Sequence, residues 1–591
     1  MKEFLKYVGA TVVGLLLFGV VVAVIGLMSV VGMVSSSQAT RTIEDNSVLV
    51  LDLKGDLVEQ TTSGPLDALT GNGGETIGMS DLLTAIRKAK KNDHIKGIYI
   101  QNSGFAADFA QLQELREALQ DFKRSKKWIV AYGDEFGTGS YYLATVADKV
   151  YMNPQGAINW SGLAAQKIYV KDLLAKVGIR MIPIKVGKYK SATEMFTEEK
   201  MSDADRAQTT AYLEGIWQTL VKAVSESRHI SPAVLNGYAD SLIVFSNPQS
   251  YLQKRLVDGY LYGDEVKGVV KKMLKIDDDK PVSQVGIADM LSAPEGSMGD
   301  DQIAVYYAQG DIVDEASRTS VFNGQSEIVG DDVCRDLEAL MNDDDVKAVV
   351  VRVNSGGGSA FASEKMWHQM QMLKKKKPVV VSMSGYAASG GYYMSCGANW
   401  IVAEPMTVTG SIGIFGMVSD QSDLLTHKLG IKFDVVKTNR HSAIGTPSRP
   451  MTAEEIGFVQ ASITRGYQLF LMRVAEGRRM SVQQVDQLAQ GHVYLGQEAQ
   501  RLRLVDELGG LDKAVAKAAS LAKTDSYYTV GYPGAGNMID QLMKATTSRD
   551  NYLDESLRAA LGQLYAPMSM LVKAGRYDRL QARMPYYLIF N

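Results

Sequence analysis

The sequence contains two copies of one pattern, and this internal repeat restricts the possible folds more than any other feature. Three pairs of segments match, at spacings of 255, 251 and 248 residues: SVLVLDLKGDLVE (47–59) with QIAVYYAQGDIVDE (302–315), WIVAYGDEFGTGSYYLA (128–144) with VVVSMSGYAASGGYYMS (379–395), and RLVDGY (255–260) with RLVDEL (503–508). A spacing that drifts by only a few residues is typical of a duplicated domain with small changes in loop length.

Each copy alternates short β-branched runs with amphipathic stretches. The runs GIYIQ, WIVAY, AVVVRV and PVVVSM predict strands, and QLQELREALQDF and SEKMWHQMQML predict helices. Strands that alternate with helices are typical of an α/β fold. We therefore predict two tandem α/β domains at residues 45–275 and 302–525, a linker at 276–301, and a C-terminal extension of unknown role at 526–591.

An apolar stretch precedes the first copy. Residues 8–34 are 27 positions without a charge, which is long enough to span a bilayer with some tilt. The apolar centre of a cleaved signal peptide has only about 7 to 15 residues, so we predict a retained transmembrane anchor. Lys2 and Lys6 precede the stretch, and the positive-inside rule therefore places residues 1–7 in the cytoplasm and both copies on the outer side.

Composition argues against two kinds of partner. The chain has 63 Lys and Arg against 66 Asp and Glu, so it lacks the basic surplus of a nucleic-acid-binding protein. Its two cysteines, Cys334 and Cys396, cannot form a disulfide framework, and no CxxC or HExxH pattern suggests a metal. We expect no nucleic-acid partner, no metal and no cofactor.

One serine of the second copy stands among small residues. Ser389 lies in GYAASGGYYM (385–394), where Gly390 and Gly391 follow it. These glycines let a substrate backbone come close and leave N–H groups at a helix start, where negative charge is favoured. The glycines of VRVNSGGGSAFAS (351–363) could supply a second N–H donor. A serine at the head of a helix is also a common N-cap, so the position alone does not identify a nucleophile.

Each copy retains one half of a candidate catalytic pair. At the 251-residue spacing Ser389 corresponds to Thr138, and KYKSA (188–192) corresponds to NRHSA (439–443), which sets Lys190 opposite His441. The first copy therefore has a lysine without the serine, and the second has the serine without the lysine. A functional pair must be assembled across the two copies.

A lysine base must be neutral before it can accept a proton. Its reference pKa is near 10.4, and a shift of about 3 units to neutrality corresponds to roughly 4 to 5 kcal/mol. Burial in apolar surroundings can lower a lysine pKa by that amount. Lys190 could then activate Ser389 without a histidine.

These motifs resemble those of the signal peptide peptidase A (protease IV) family, membrane-anchored serine proteases whose fold belongs with the Clp protease and crotonase group. The resemblance rests on GYAASGGYY, VGKYKSA, VNSGGGS and TGSIGIFG. It implies that Ser389 is the nucleophile, that Lys190 is the general base, and that the Ser411 hydroxyl orients the lysine. It also implies that the N–H groups of Gly358 and Gly390 hold the oxyanion.

The resemblance covers roughly residues 45–525 and carries further expectations. The family usually has proline where this chain has Gly356. The resemblance implies a homotetramer without a cofactor, with cleaved signal peptides and other peptides as substrates. It implies a location in the cytoplasmic (inner) membrane, with the catalytic domains on the outer, periplasmic side.

Two other functions remain open at this stage. The chain could be a non-catalytic membrane-bound scaffold of crotonase-like fold in which Ser389 serves only as a helix cap. It could instead be an acyl-CoA thioester enzyme that uses a glycine oxyanion hole with a glutamate, for which Glu364 is the nearest candidate.

Overall fold

A computed structural model describes residues 42–61, 76–294, 299–315, 327–534 and 581–584, together with the single positions 6, 7, 14 and 18. The predicted anchor, residues 8–34, falls outside the described residues apart from two of those single positions. Within the described part of the chain, no helix combines the length and apolar character needed to cross a membrane.

The described strands form three sheets. In chain order they are β1 (Ser47–Val58), β2 (Thr76–Gly78), β3 (Ile95–Ala106), β4 (Trp128–Gly133), β5 (Lys149–Met152), β6 (Arg180–Lys185), β7 (Gly259–Tyr260), β8 (Gln284–Val285), β9 (Asp301–Gln309), β10 (Asp311–Val313), β11 (Glu327–Val329), β12 (Val346–Ser355), β13 (Gly357–Ser359), β14 (Val379–Ala388), β15 (Trp400–Ala403), β16 (Val408–Gly410), β17 (Phe415–Asp420), β18 (Val493–Leu495), β19 (Glu507–Leu508), β20 (Tyr527–Tyr532) and β21 (Gln581–Arg583).

Helices cover these sheets. In chain order they are α1 (Met79–Lys91), α2 (Phe109–Lys123), α3 (Thr138–Ala144), α4 (Lys171–Val177), α5 (Glu194–Thr197), α6 (Asp203–Arg228), α7 (Pro232–Asp240), α8 (Ser250–Gln253), α9 (Val266–Leu274), α10 (Ile287–Ser292), α11 (Gly330–Asn342), α12 (Ala360–Lys374), α13 (Gly390–Ser395), α14 (Ala453–Arg478), α15 (Val482–Leu488), α16 (Gly496–Arg501) and α17 (Leu511–Ala522).

The two copies have the same strand order. In the first copy β1, β3, β4, β5 and β7 lie side by side and run parallel. In the second copy β9, β12, β14, β15 and β19 repeat this order. A further strand pairs with the outer side of the first strand in each sheet, β8 on β1 and β20 on β9. The predicted duplication of an α/β domain is therefore confirmed.

The central strands carry apolar side chains on both faces because both faces of each sheet are covered. In β12, Val349 and Val351 pack into one hydrophobic core, and Val350 packs into a second core together with residues of α17. A parallel strand buried on both faces has a continuous apolar sequence rather than an alternating one. This explains the VVV run in AVVVRV, which the sequence analysis assigned to a strand.

The long helices repeat as well. Helices α6 and α14 each contain 26 residues. In the last turn of α6, Arg228 Nη1 lies 2.8 Å from Asp258 Oδ2. In the last turn of α14, Arg478 Nη2 lies 2.6 Å from Asp506 Oδ1. The two aspartates belong to RLVDGY and RLVDEL, so this matched pair of segments holds the end of the long helix in each copy.

The third sheet joins the two copies. Its strand order is β11-β10-β13-β21-β17-β6. Strand β6 belongs to the first copy, and it pairs antiparallel with β17 of the second copy over six residue pairs, from Lys185 opposite Phe415 to Arg180 opposite Asp420. The chain that follows β6 is therefore held against the second copy.

Candidate active site

Ser389 stands at the junction of β14 and α13. Its backbone has φ 54° and ψ −110°, a combination outside the regions allowed to residues other than glycine, and such strained residues cluster at active sites. Its N–H donates to the Gly410 carbonyl at 2.8 Å. The side chain is fully buried and makes no capping hydrogen bond to α13. The Ser389 side chain therefore does not act as a helix cap.

The side chain of Lys190 reaches Ser389 from the first copy. Lys190 follows β6, is fully buried, and places Nζ 2.7 Å from Ser389 Oγ. The same Nζ lies 3.0 Å from Ser411 Oγ and 3.0 Å from the Ser411 carbonyl oxygen. The structure thus brings together the three residues that the resemblance assigns to catalysis, with the lysine and the two serines on opposite copies.

The electrostatics of this cluster favour a neutral amine. Burial lowers the pKa of Lys190 well below its ordinary value, because an ammonium loses its hydration there. A neutral amine has two N–H groups and one lone pair. If the N–H groups donate to the two oxygens of Ser411, the lone pair faces the hydroxyl of Ser389. This arrangement allows Lys190 to accept the serine proton.

A glycine outside the predicted motifs makes room for the lysine. Gly491 has φ +82°, and a Cβ at this position would stand 2.7 Å from the backbone nitrogen of Lys190. Nearby, the N–H of Tyr189 donates to the Gln490 carbonyl at 3.0 Å. Two backbone segments approach each other here as only glycine permits. The sequence analysis missed Gly491 because a single glycine in AQGHVYLG resembles an ordinary turn.

The segments that carry the two predicted oxyanion glycines meet beside Ser389. Gly390 begins α13, directly after the serine. Gly358 lies in β13, where its register partners are Ile312 of β10 and Ala582 of β21. A Cβ placed on the neighbouring Gly357 would stand 2.7 Å from the Gly390 nitrogen. The glycine loop and the start of α13 are therefore in close contact.

Glu364, the candidate glutamate of an acyl-CoA enzyme, interacts with two other side chains. Glu364 lies on α12, where its Oε2 accepts a hydrogen bond of 2.7 Å from the Tyr393 hydroxyl and its carboxylate pairs with Arg473. No group of three or more His, Cys, Asp and Glu side chains capable of holding a metal ion occurs among the described residues.

Comparison with known proteins agrees with the geometry. The family model of peptidase family S49 matches residues 121–277 and 371–525, one match in each copy. The chain belongs to peptidase family S49. A second model, that of Clp protease, matches residues 311–406. Together they support a duplicated α/β domain of the Clp protease type.

Relatives of known class extend over most of the chain. Protease 4 of Salmonella typhi is 34% identical over 600 residues, covering 98% of this chain and 94% of the relative. Protease 4 of Haemophilus influenzae is 33% identical, covering 84% and 82%, and the chloroplastic serine protease SPPA of Arabidopsis thaliana is 28% identical, covering 82% and 70%. The predicted family is confirmed, and the chain is a serine peptidase of that family.

Proposed function

We propose that this peptidase is a membrane-anchored endopeptidase in which Ser389 and Lys190 form a catalytic dyad. One observation carries the proposal: Lys190 Nζ lies 2.7 Å from Ser389 Oγ, and both side chains are completely buried. A nucleophile within hydrogen-bond reach of its base, with the base held by a third group, is the arrangement that covalent catalysis requires.

The reaction follows from these positions. Lys190 accepts the hydroxyl proton as Ser389 Oγ attacks the substrate carbonyl, and it then gives that proton to the departing amine. Water hydrolyses the resulting acyl ester with the same lysine as base. The two oxygens of Ser411 keep the amine oriented throughout, and the N–H groups of Gly358 and Gly390 stabilise the oxyanion.

Cleaved signal peptides and other apolar peptides are the proposed substrates. The apolar stretch at 8–34 would anchor the chain in the cytoplasmic membrane, with residues 1–7 in the cytoplasm and the catalytic copies on the outer side. A peptidase held there meets peptides that leave the bilayer. The resemblance to protease IV supports a homotetramer as the working form.

The duplication supplies matched controls for the dyad. Ser389→Ala and Lys190→Ala should each abolish peptide hydrolysis, and Ser389→Ala should also abolish labelling by a fluorophosphonate. Thr138→Ala and His441→Ala alter the counterparts of the two residues in the other copy, and both variants should retain activity. Hydrolysis that survives in Ser389→Ala or Lys190→Ala would refute the dyad, provided that circular dichroism shows all four variants folded.

The membrane and substrate proposals need separate tests. The full chain should stay with membranes after alkaline carbonate extraction, and externally added protease should digest both copies in spheroplasts. The detergent-purified protein should scatter light as four chains. A synthetic signal peptide should be cleaved faster than a polar peptide of equal length, and equal rates would contradict the proposed substrate class.

A further inference from the structure

The general base of the proposed dyad stands on an irregular segment of the first copy. Lys190 lies between β6, which ends at Lys185, and a short 3₁₀ turn at Ser191–Thr193. A side chain on such a segment is placed less accurately than one on a strand or a helix, and a displacement of about 1 Å at a reacting group can cost about 100-fold in rate. The position of Nζ beside Ser389 therefore needs a further hold on the backbone around Lys190.

Gln208 of helix α6 holds the residues on both sides of the lysine. Its side chain is 1% exposed. Its Nε2 donates to the Tyr189 carbonyl at 3.2 Å and lies 3.4 Å from Ser191 Oγ. The same nitrogen donates to Asp205 Oδ1 at 3.1 Å, and this oxygen also accepts the Ser191 hydroxyl at 2.6 Å. The chain is thus fixed immediately before and immediately after Lys190.

The oxygen of the same amide reaches the second copy. Gln208 Oε1 accepts the backbone N–H of Val493 at 3.2 Å. The preceding carbonyl, that of His492, accepts the Ser411 N–H at 2.6 Å. Lys190 Nζ in turn lies 3.0 Å from Ser411 Oγ. Gln208 therefore joins the segment that carries the lysine to the segment that holds Ser411.

This set of partners suits an amide. The backbone N–H of Val493 needs an acceptor, whereas the Tyr189 carbonyl and the Asp205 carboxylate need donors. A glutamine provides one oxygen and two N–H groups at the end of a single side chain, while an ionised glutamate has no donor and a lysine has no acceptor. The partners also fix which end of the amide is the oxygen, since a backbone N–H can only donate.

Comparison of the two copies separates Gln208 from the features that both copies keep. MSDADRAQ (201–208) matches MTAEEIGF (451–458) at a spacing of 250 residues. Both segments keep the serine or threonine that caps the long helix. Gln208, however, corresponds to Phe458, which is 53% exposed. The copy that lacks the lysine therefore also lacks the amide, and the fold of a copy does not require it.

We propose that Gln208 is the positioning residue of the catalytic base, which holds Lys190 beside Ser389 by tying the chain on both sides of the lysine to the second copy. The proposal rests on the proposed function, because Gln208 acts through the dyad. Since its side chain is buried, it acts on the lysine rather than on the substrate. Its removal should therefore lower kcat and leave KM unchanged.

Kinetics of the full-length protein test this role. Gln208→Met removes the amide and keeps a side chain of similar length, and its kcat for a short chromogenic peptide should fall about 100-fold with KM unchanged. The rate at which a fluorophosphonate acylates Ser389 should fall by the same factor, because this reaction needs the base but no peptide. Gln208→Asn keeps the amide on a side chain that is one methylene shorter. It carries the same expectation and keeps the test decisive if Gln208→Met fails to fold.

Gln302→Met is the matched control for the loss of a buried amide. Gln302 is 8% exposed, and it donates to the Tyr532 hydroxyl at 2.8 Å and accepts from the Tyr528 hydroxyl at 3.3 Å. It lies at the start of β9, whereas Ser389 follows the end of β14 in the same parallel sheet. Gln302→Met should lower Tm, as Gln208→Met should, but it should keep the kcat of the wild type.

The possible results separate this role from the dyad itself. A wild-type kcat in the Gln208 variants, beside an inactive Lys190→Ala, overturns the positioning role and leaves the dyad intact. An equal loss of kcat in Gln302→Met, or a change in KM instead of kcat, also overturns the role. Hydrolysis that survives in Lys190→Ala refutes the dyad and the role with it. A loss of kcat confined to the Gln208 variants supports the proposal.

Discussion

Replacing Arg352 with methionine should destabilise the protein strongly, because this side chain ties the two copies together. Arg352 belongs to β12 of the second copy, and its guanidinium lies 2.7 Å from Glu59 Oε2 and 2.5 Å from Glu114 Oε2, both in the first copy. It also donates to the hydroxyls of Ser382 and Ser384 at 2.8 and 3.0 Å. Arg352 and Glu59 are each 1% exposed. Solvent therefore cannot replace the arginine.

The size of the effect follows from this burial. Burial alone would lower the pKa of Arg352, but Glu114 and Glu59 outweigh it and raise that pKa. Removing one partner of a buried ion pair costs about 3–5 kcal/mol, because the remaining charge is uncompensated. At about 2–4 °C per kcal/mol for a unit the size of one copy, Tm should fall by roughly 6–20 °C.

The dependence of this loss on pH has a definite sign. Burial raises the pKa of Glu114 even beside Arg352, so without the arginine this carboxyl takes up a proton more readily. A neutral carboxyl has no uncompensated charge. The destabilisation by Arg352→Met should therefore be largest at neutral and alkaline pH and should shrink as the pH falls.

Thermal unfolding followed by circular dichroism measures the effect. The control is Arg335→Met, which removes an arginine from an ion pair with Asp332 in which the side chains are 69% and 53% exposed. Exposed pairs contribute about 0–1 kcal/mol, so this variant should unfold close to wild type. If Arg352→Met lowers Tm by no more than Arg335→Met, the two copies are not held together by this network.

Further predictions concern the lysine and its surroundings. Because burial lowers the pKa of Lys190, activity should be lost as the pH falls through that lowered pKa, and a flat kcat/KM profile between about pH 6 and 10 would contradict a lysine base. Lys190→Arg should be inactive, because a guanidinium keeps its proton; hydrolysis by this variant would point to another base. Lys190→Met should raise the unfolding free energy at neutral pH, because the buried amine binds its proton less tightly than free lysine does. The gain should decline by about 1.4 kcal/mol for each pH unit above the lowered pKa and vanish near pH 10.5, where free lysine also loses its charge; denaturant titrations at several pH values test this. Gly491→Ala should reduce kcat, since its Cβ meets the Lys190 backbone, whereas Gly457→Ala, with open space around the position, should not.

The sequence predicted the parts of the molecule that occur in both copies and the elements whose apolar residues recur at regular spacing. The strands, the main helices and the duplication all appear as expected, because β-branched runs and amphipathic periods are local properties. The approach of Lys190 to Ser389 was also foreseen, since each copy keeps one residue of the pair. That inference needed the comparison of the two copies and could not be drawn from either residue alone.

Contacts between distant segments were not predicted. Nothing in the local pattern of Arg180–Lys185 indicates that it pairs with a strand of the other copy, because strand partners are chosen by the whole fold. Arg352 and Glu59 are ordinary charged residues in the sequence, and only their burial against each other makes them important. Strand β21 has three residues, Gln581–Arg583, which is too short for a periodic signal, so its place between β13 and β17 was missed.

The pairing of β6 with β17 has a consequence for the way this enzyme is made. A ribosome that has completed the first copy has produced Lys190 but not Ser389, its partner in the proposed dyad. The Lys190 amine reaches Ser389 only after residues 415–420 have emerged from the ribosome and paired with β6 in the correct register. A slip of one residue would shift the lysine by about 3.3 Å and turn the side chains of β6 to the opposite face of the sheet. If Ser389 and Lys190 form the proposed dyad, the nascent chain therefore has no peptidase activity until residues 415–420 have been synthesised.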